Sequence, residues 1–424
     1  MTKLGKSKDG LITMLAITFV NVLNYGLNLV LGRWLGPEGF AEANLIATLI
    51  LIISFLGVAV QLTVANEVAR ADKKSKPGVL KWIEKKATLL GLLISIVGLA
   101  CSPFLTSFLH LKSDIPIAMV GIGIPFYFIL SARRGFFQGT QNFKVFAKTF
   151  VLETIVRLVF TIALLYYSVN NDPSLNTIAI AVGFLASFVL GSLFSIKSYK
   201  LEKVNAHRSF EMKTILLFVG IITLYELSQI LINNFDVILT KHFFDDYTAG
   251  IYSSIALVGR IVYFGTWTIV TILFPKVIEK EVKGEPHSHL FYGALSIVLL
   301  AGVGVSAFCF LFDEFIVSLL FGHEFISAAD LLWQYAFATT LFASANVFAY
   351  YHMSLKNYIP VIISLLAGLG QITLIYFFHS SLQEVIIMQI ITMTVLLLVM
   401  ISYHITKSFF WDKKEVRLVS KPSI

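Results

Sequence analysis

The chain has 424 residues, 57% of them hydrophobic and 14% charged, with a formal net charge of +8. This excludes a soluble globular protein, because apolar stretches of about 20 residues, enough to cross a bilayer core, follow one another with connections too short for a soluble domain. The basic surplus comes without an aromatic-interleaved groove or motif, which argues against nucleic acid as a partner, and Cys101 and Cys309 fall in apolar stretches without metal or redox spacing.

Twelve spans are predicted, at 11–32, 41–65, 87–108, 115–132, 145–168, 174–196, 214–240, 248–274, 290–312, 327–350, 358–379 and 384–406. No cleavable signal-peptide pattern precedes the first, which is expected to act as an uncleaved anchor. It carries Asn21, Tyr25 and Asn28 at i, i+4 and i+7, on one helical face, with Asn24 beside them. Gly32, Gly36, Pro37 and Gly39 are expected to end it in a turn. After the second span, Pro77-Gly78 precedes Val79, Leu80, Trp82 and Ile83 among lysines. That stretch reads either as an interfacial amphipathic elbow or as a basic loop held by one tryptophan.

Gly121, Gly123 and Pro125 are expected to weaken or kink the fourth span. Glu153 and Arg157 lie four apart on the fifth, in the order that favours an intramembrane pair. The sixth runs into the basic stretch Lys197–Lys213, read as a cytoplasmic linker. The seventh repeats the polar stripe of the first, 208 residues on, as Gln229, Asn233 and Asp236, with Glu226 just before it. Arg260 falls near the middle of the eighth, where an arginine facing lipid is costly and so should face protein or water.

Polar groups in hydrocarbon need partners or water. Two matching polar faces therefore suggest two half-proteins around a shared wet cavity, the plan of a transporter. Six spans per half is an even number, so the repeats are parallel. The expected fold is all-α and integral to the membrane: about twelve transmembrane helices in two parallel six-helix lobes around a central cavity. The lobes are residues 1–200 and 214–424, joined by a linker at 201–213. Of the lysines and arginines, 28 fall on the tails and even-numbered connections and three, Arg33, Lys112 and Lys241, on the odd ones. The positive-inside rule then puts both termini in the cytoplasm and the chain, multi-pass, in the cytoplasmic (inner or plasma) membrane.

Leu35-Gly36-Pro37-Glu38-Gly39-Phe40 resembles the turn after the first span in polysaccharide flippases of the multidrug/oligosaccharidyl-lipid/polysaccharide exporter superfamily. Leu320-Phe321-Gly322-His323-Glu324-Phe325 is similar to that family's loop before span ten, and Phe136-Phe137-Gln138-Gly139-Thr140-Gln141-Asn142-Phe143 to its end of span four. The resemblance implies alternating access and a polyprenyl-diphosphate-linked oligosaccharide as cargo, while the basic charge points to membrane lipids as further partners. It places Arg260 in the span where related lipid II flippases also have a cavity arginine. This chain has no basic residue on span one and twelve spans where those have fourteen, which turns the expected cargo toward capsule, O-antigen or exopolysaccharide units.

Within that reading the substrate cavity is expected to use Arg260 for the diphosphate and Asn24, Tyr25, Asn28, Gln229 and Asn233 for the sugar. Glu226 and Asp236 are candidates for H+ or Na+ coupling or for gating. An ion-coupled multidrug exporter of the same superfamily is the alternative. A membrane polysaccharide polymerase or ligase is a further one, against which stand the short outer connections and the absence of a nucleophile–base pair, metal cluster or phosphate-cradling loop. No catalytic residue, cofactor or metal is expected.

Overall fold

The computed structural model describes residues 3–72, 74–199 and 212–419. They form thirteen α-helices and two short 3-10 stretches, with no strand among the described residues. The helices are α1 Lys3–Arg70, α2 Lys76–Phe108, α3 Ile115–Gly139, α4 Phe143–Asn171, α5 Asn176–Ser198, α6 Met212–Phe243, α7 Asp246–Gly259, α8 Ile261–Lys283, α9 Ser288–Leu311, α10 Asp313–Leu320, α11 Leu332–Ser354, α12 Ile359–Phe377 and α13 Leu382–Val419. Eight helices among the described residues are long and apolar enough to cross a membrane. Large apolar side chains such as Leu89, Ile96, Val159, Leu300 and Leu366 are exposed on them, which suits lipid rather than water. The protein is a multi-pass membrane protein.

Several boundaries differ from the sequence expectations, each for a local reason. The expected turn after the first span is present: within α1 two helices meet across a kink at Gly36 (φ 64°, ψ −177°). Glycine alone adopts that conformation without strain, and Pro37 next to it removes a helical N–H. The basic stretch after the second span is neither a separate elbow nor a loop. It forms the first turns of α2, which bury Val79, Leu80 and Ile83 against Val64, Val68, Phe136 and Phe137. Pro125 lies inside α3, which runs from Ile115 to Gly139. The eighth span divides at Arg260 (φ −69°, ψ −7°) into α7 and α8. A short helix, α10, and a 3-10 stretch, His323–Leu331, occupy the connection before α11.

The chain forms two compact units: Met1–Glu226 with Thr240–Gly250, and Leu227–Leu239 with Ile251–Ile424. Of the linker expected at 201–213, all but the last two residues lie outside the described residues. In the first unit α3 is the buried centre, packed on α1, α2 and α5, while α4 pairs with α5. In the second, α11 holds that place, packed on α8, α9 and α13. Repeat partners thus share a role, and their backbones agree. Positive φ occurs at His110 and Gly322, which precede α3 and the 3-10 stretch before α11, and again at Gln141 and Lys356, which follow α3 and α11.

Thr240–Gly250 lies in the second half of the sequence yet packs in the first unit. The His242 ring stacks 4.0 Å from that of Phe108 and 5.6 Å from that of His110. Its Nδ1 lies 2.5 Å from the Phe108 carbonyl oxygen, while Lys241 pairs with Asp246. Between α6 and α7, the Thr248 hydroxyl and amide hold the Asp245 carboxyl below its ordinary pKa.

Candidate functional site

Two buried charged clusters, one in each unit, differ in net charge. In the first unit, Arg134 of α3 is 2% exposed. Its Nη2 donates to Glu153 Oε2 at 2.6 Å and to the Thr149 carbonyl at 3.0 Å, and its Nε to Thr149 Oγ1 at 3.1 Å. Its guanidinium lies 3.6 Å from the centre of the Phe150 ring. Arg157, one turn after Glu153 on α4, reaches the other oxygen of the same carboxylate through Nη2. Arg157 Nη1 donates to Asn24 Oδ1 at 3.2 Å, the Phe184 ring sits 4.5 Å from the guanidinium, and the buried Nε has no hydrogen-bond partner. Two guanidiniums share one carboxylate, so the cluster carries a positive charge that its own members do not neutralise. The Arg157 side chain keeps 14% of its surface exposed.

The second cluster is neutral. Asp236 of α6 is 0% exposed. Its Oδ1 accepts from Arg260 Nη2 at 3.0 Å, and its Oδ2 from Tyr335 at 2.7 Å, Tyr252 at 2.9 Å and Gln389 Nε2 at 3.2 Å. The Tyr335 hydroxyl also accepts from Arg260 Nε at 3.1 Å. The division between α7 and α8 puts Arg260 at a helix start, where Gly259 lets the backbone approach Tyr335: a Cβ there would lie 2.4 Å from the ring. One cation thus meets one anion inside a ring of hydroxyls and an amide.

The remaining sequence candidates fall around these clusters. Asn28 Nδ2 donates to the Asn24 carbonyl at 2.9 Å, Tyr25 is half-buried beside them, and Asn21 is exposed. Gln229, 1% exposed, exchanges two hydrogen bonds with Asn346 at 2.8 and 3.2 Å. Asn233 donates to the Gln229 carbonyl at 2.9 Å. Glu226 is half-buried and forms no ion pair with a described residue. Arg260 is held by Asp236.

Sequence reasoning placed Arg134 in a basic connection, whereas it is buried. The readable signal was its place directly before Gly135-Phe136-Phe137, inside an apolar run. Tyr252, Tyr335 and Gln389 were also missed, although Gln389 is the one amide in the predicted span 384–406.

The sequence profile of the family described as "Polysaccharide biosynthesis protein" matches residues 7–280. Stage V sporulation protein B of Bacillus subtilis (strain 168) is 26% identical over 219 residues, which are 49% of this chain. The chain covers 42% of that relative's length. The fold is similar to that of an inward-facing multidrug resistance MATE family transporter of the MOP superfamily, with a TM-score of 0.76 at 16% identity over 96% of both chains. It is also similar to the lipid II flippase MurJ in an inward closed conformation, with a TM-score of 0.73 at 14% identity over 93% of this chain and 87% of that one.

Proposed function

The chain belongs to the polysaccharide biosynthesis protein family, and from that premise we propose that it is a flippase or exporter for a polyprenyl-diphosphate-linked oligosaccharide. It would move this cargo across the cytoplasmic membrane by alternating access, for cell-surface polysaccharide biosynthesis. The observation that carries the reading is the surplus positive charge of the Arg134–Glu153–Arg157 cluster. A diphosphate leaving water needs cationic compensation, and a guanidinium supplies it through paired charge-assisted hydrogen bonds. Arg157 has an uncommitted Nε–H and an amide neighbour, Asn24, suited to a sugar hydroxyl. Arg260 is neutralised by Asp236, so it contributes a cation to the cargo only in a state where that pair opens. The lipid tail stays in the bilayer, and no bond is made or broken.

The test is transfer of a fluorescent lipid-linked oligosaccharide across proteoliposomes. Arg157→Gln should insert normally yet slow transfer by about tenfold or more, the worth of a hydrogen bond to a charged group, while Arg157→Lys retains part of the rate. Unchanged transfer by Arg157→Gln would sink the role of this cluster.

One observation favours an ion-coupled multidrug exporter instead: Glu226 is a half-buried carboxylate in a membrane helix without an ion-pair partner among the described residues. Organic-cation efflux driven by a proton or sodium gradient, and abolished in Glu226→Gln, would support that reading.

A further inference from the structure

We infer that α2 carries a binding site for the phosphate headgroup of an anionic membrane phospholipid, at the groove where its basic first turns meet its apolar length. The site is separate from both buried clusters and independent of the cargo. An open groove of about 700 Å³ lies along α2, lined by Lys81, Trp82, Lys85, Lys86, Leu89 and Leu92 among others. Lys81, Lys85, Leu89, Leu92 and Ile96 follow helical spacing and form one stripe, cationic at one end and apolar along the rest. The apolar part is bare: Leu89 is 62% exposed, Leu92 45% and Ile96 63%.

Among the described residues the cationic end lacks its counter-charge. Lys81 and Lys85 stand at i and i+4, where like charges repel. None of Lys81, Lys85 and Lys86 forms an ion pair with a described residue. The carboxylate in the groove wall, Glu84, is already taken by Arg133 Nε at 3.1 Å, and Arg133 is fixed in turn by the Tyr199 carbonyl at 2.9 Å. Among the described residues, three ammonium groups therefore line the groove with no acid left to answer them.

A free phosphate would satisfy the lysines and leave the apolar stripe uncovered. A phospholipid satisfies both, with its phosphate between the ammonium groups and its acyl chains along Leu89, Leu92 and Ile96. Trp82 flanks the headgroup level, where amphipathic rings settle. Basic clusters at the end of a membrane helix attract anionic headgroups over zwitterionic ones. The other face of the same turns, Val79, Leu80 and Ile83, is packed into the first unit, so the groove is held on a rigid helix.

The test uses the full-length protein in detergent, titrated with dioleoylphosphatidylglycerol or dioleoylphosphatidylcholine and read by native mass spectrometry. The wild type should retain phosphatidylglycerol well above phosphatidylcholine. K81Q/K85Q/K86Q should lose that excess by roughly fivefold per lysine, while K81R/K85R/K86R keeps it. If the triple glutamine chain does not fold, K85Q alone should give the same loss at the single-residue scale. Equal retention of both lipids by the wild type, or equal phosphatidylglycerol retention by wild type and glutamine variant, overturns the site. Displacement of the lipid by millimolar inorganic phosphate alone would overturn the lipid assignment and leave a simple anion site.

Discussion

Asp236 and Arg260 hold each other's charge inside a network with almost no contact with solvent, and that fixes what substitution does there. Removing one member of a buried pair leaves the other uncompensated, at about 3–5 kcal/mol. Asp236→Asn should therefore lower the apparent melting temperature in detergent markedly, and adding Arg260→Gln should recover most of the loss. If the double variant melts as low as the sum of the two single ones, the residues are not energetically coupled. The first unit behaves differently because its carboxylate has two partners. Arg157→Gln leaves Glu153 bound to Arg134, so its thermal cost should be smaller than that of Arg134→Gln, which also strips the donor from the Thr149 carbonyl. The reverse order of melting temperatures would mean that Arg157 is the structural partner and Arg134 the surplus one. The Glu153–Arg157 pair was legible in the sequence because one helix turn sets its geometry. The partners of Asp236 were not, since Arg260, Tyr335 and Gln389 meet it only through the packing of separate helices.

Among the elements, the segment Thr240–Gly250 has the tightest approach. A Cβ at Gly250 would lie 1.8 Å from the Pro37 carbonyl oxygen, a backbone atom that cannot turn aside. Gly250→Ala must therefore displace the bend of α1 or the start of α7, at about 1–3 kcal/mol for an overpacked contact. Gly304→Ala on α9 is the control, since no atom lies within 4 Å of its Cβ position. Exchanging a helical glycine there should gain about 0.5–1 kcal/mol. Hydrogen exchange should quicken across residues 240–250 in the first variant and stay unchanged in the second, and equal exchange in both would refute the contact. The apolar run lengths revealed most helices, because bilayer thickness imposes them. They did not reveal the division at Arg260 or the short α10. At Gly259 a side chain would meet the Tyr335 ring, 76 positions away, a contact that no run length shows. They also misjudged the start of α2, whose lysines face outward while Val79, Leu80 and Ile83 find partners on α1 and α3.

Over the whole chain, duplication left a mark that sequence spacing caught only at one point. The polar stripes lie 208 residues apart, whereas the positive-φ pair His110 and Gly322 lies 212 apart and Gln141 and Lys356 lie 215 apart. The offset grows as connections lengthen, so a fixed spacing finds the first helices of each half and loses the rest. Charge also carries an expectation for the molecule as a whole, its direction in the membrane. α2 has 33 residues, about 50 Å of helix against a hydrocarbon core of about 30 Å, so Lys74 and Asp114, which flank it, belong to opposite faces. Lys74 shares its connection with six other basic residues, whereas Lys112 is alone near Asp114, and basic connections stay on the cytoplasmic side. The same contrast separates Glu285, close to Lys276, Lys280 and Lys283, from Glu314 in a connection without lysine or arginine. In a chain whose native cysteines are replaced, Asp114→Cys and Glu314→Cys should react with a membrane-impermeant maleimide in intact cells. Lys74→Cys and Glu285→Cys should react only after permeabilisation. The opposite labelling pattern would invert the molecule in the membrane.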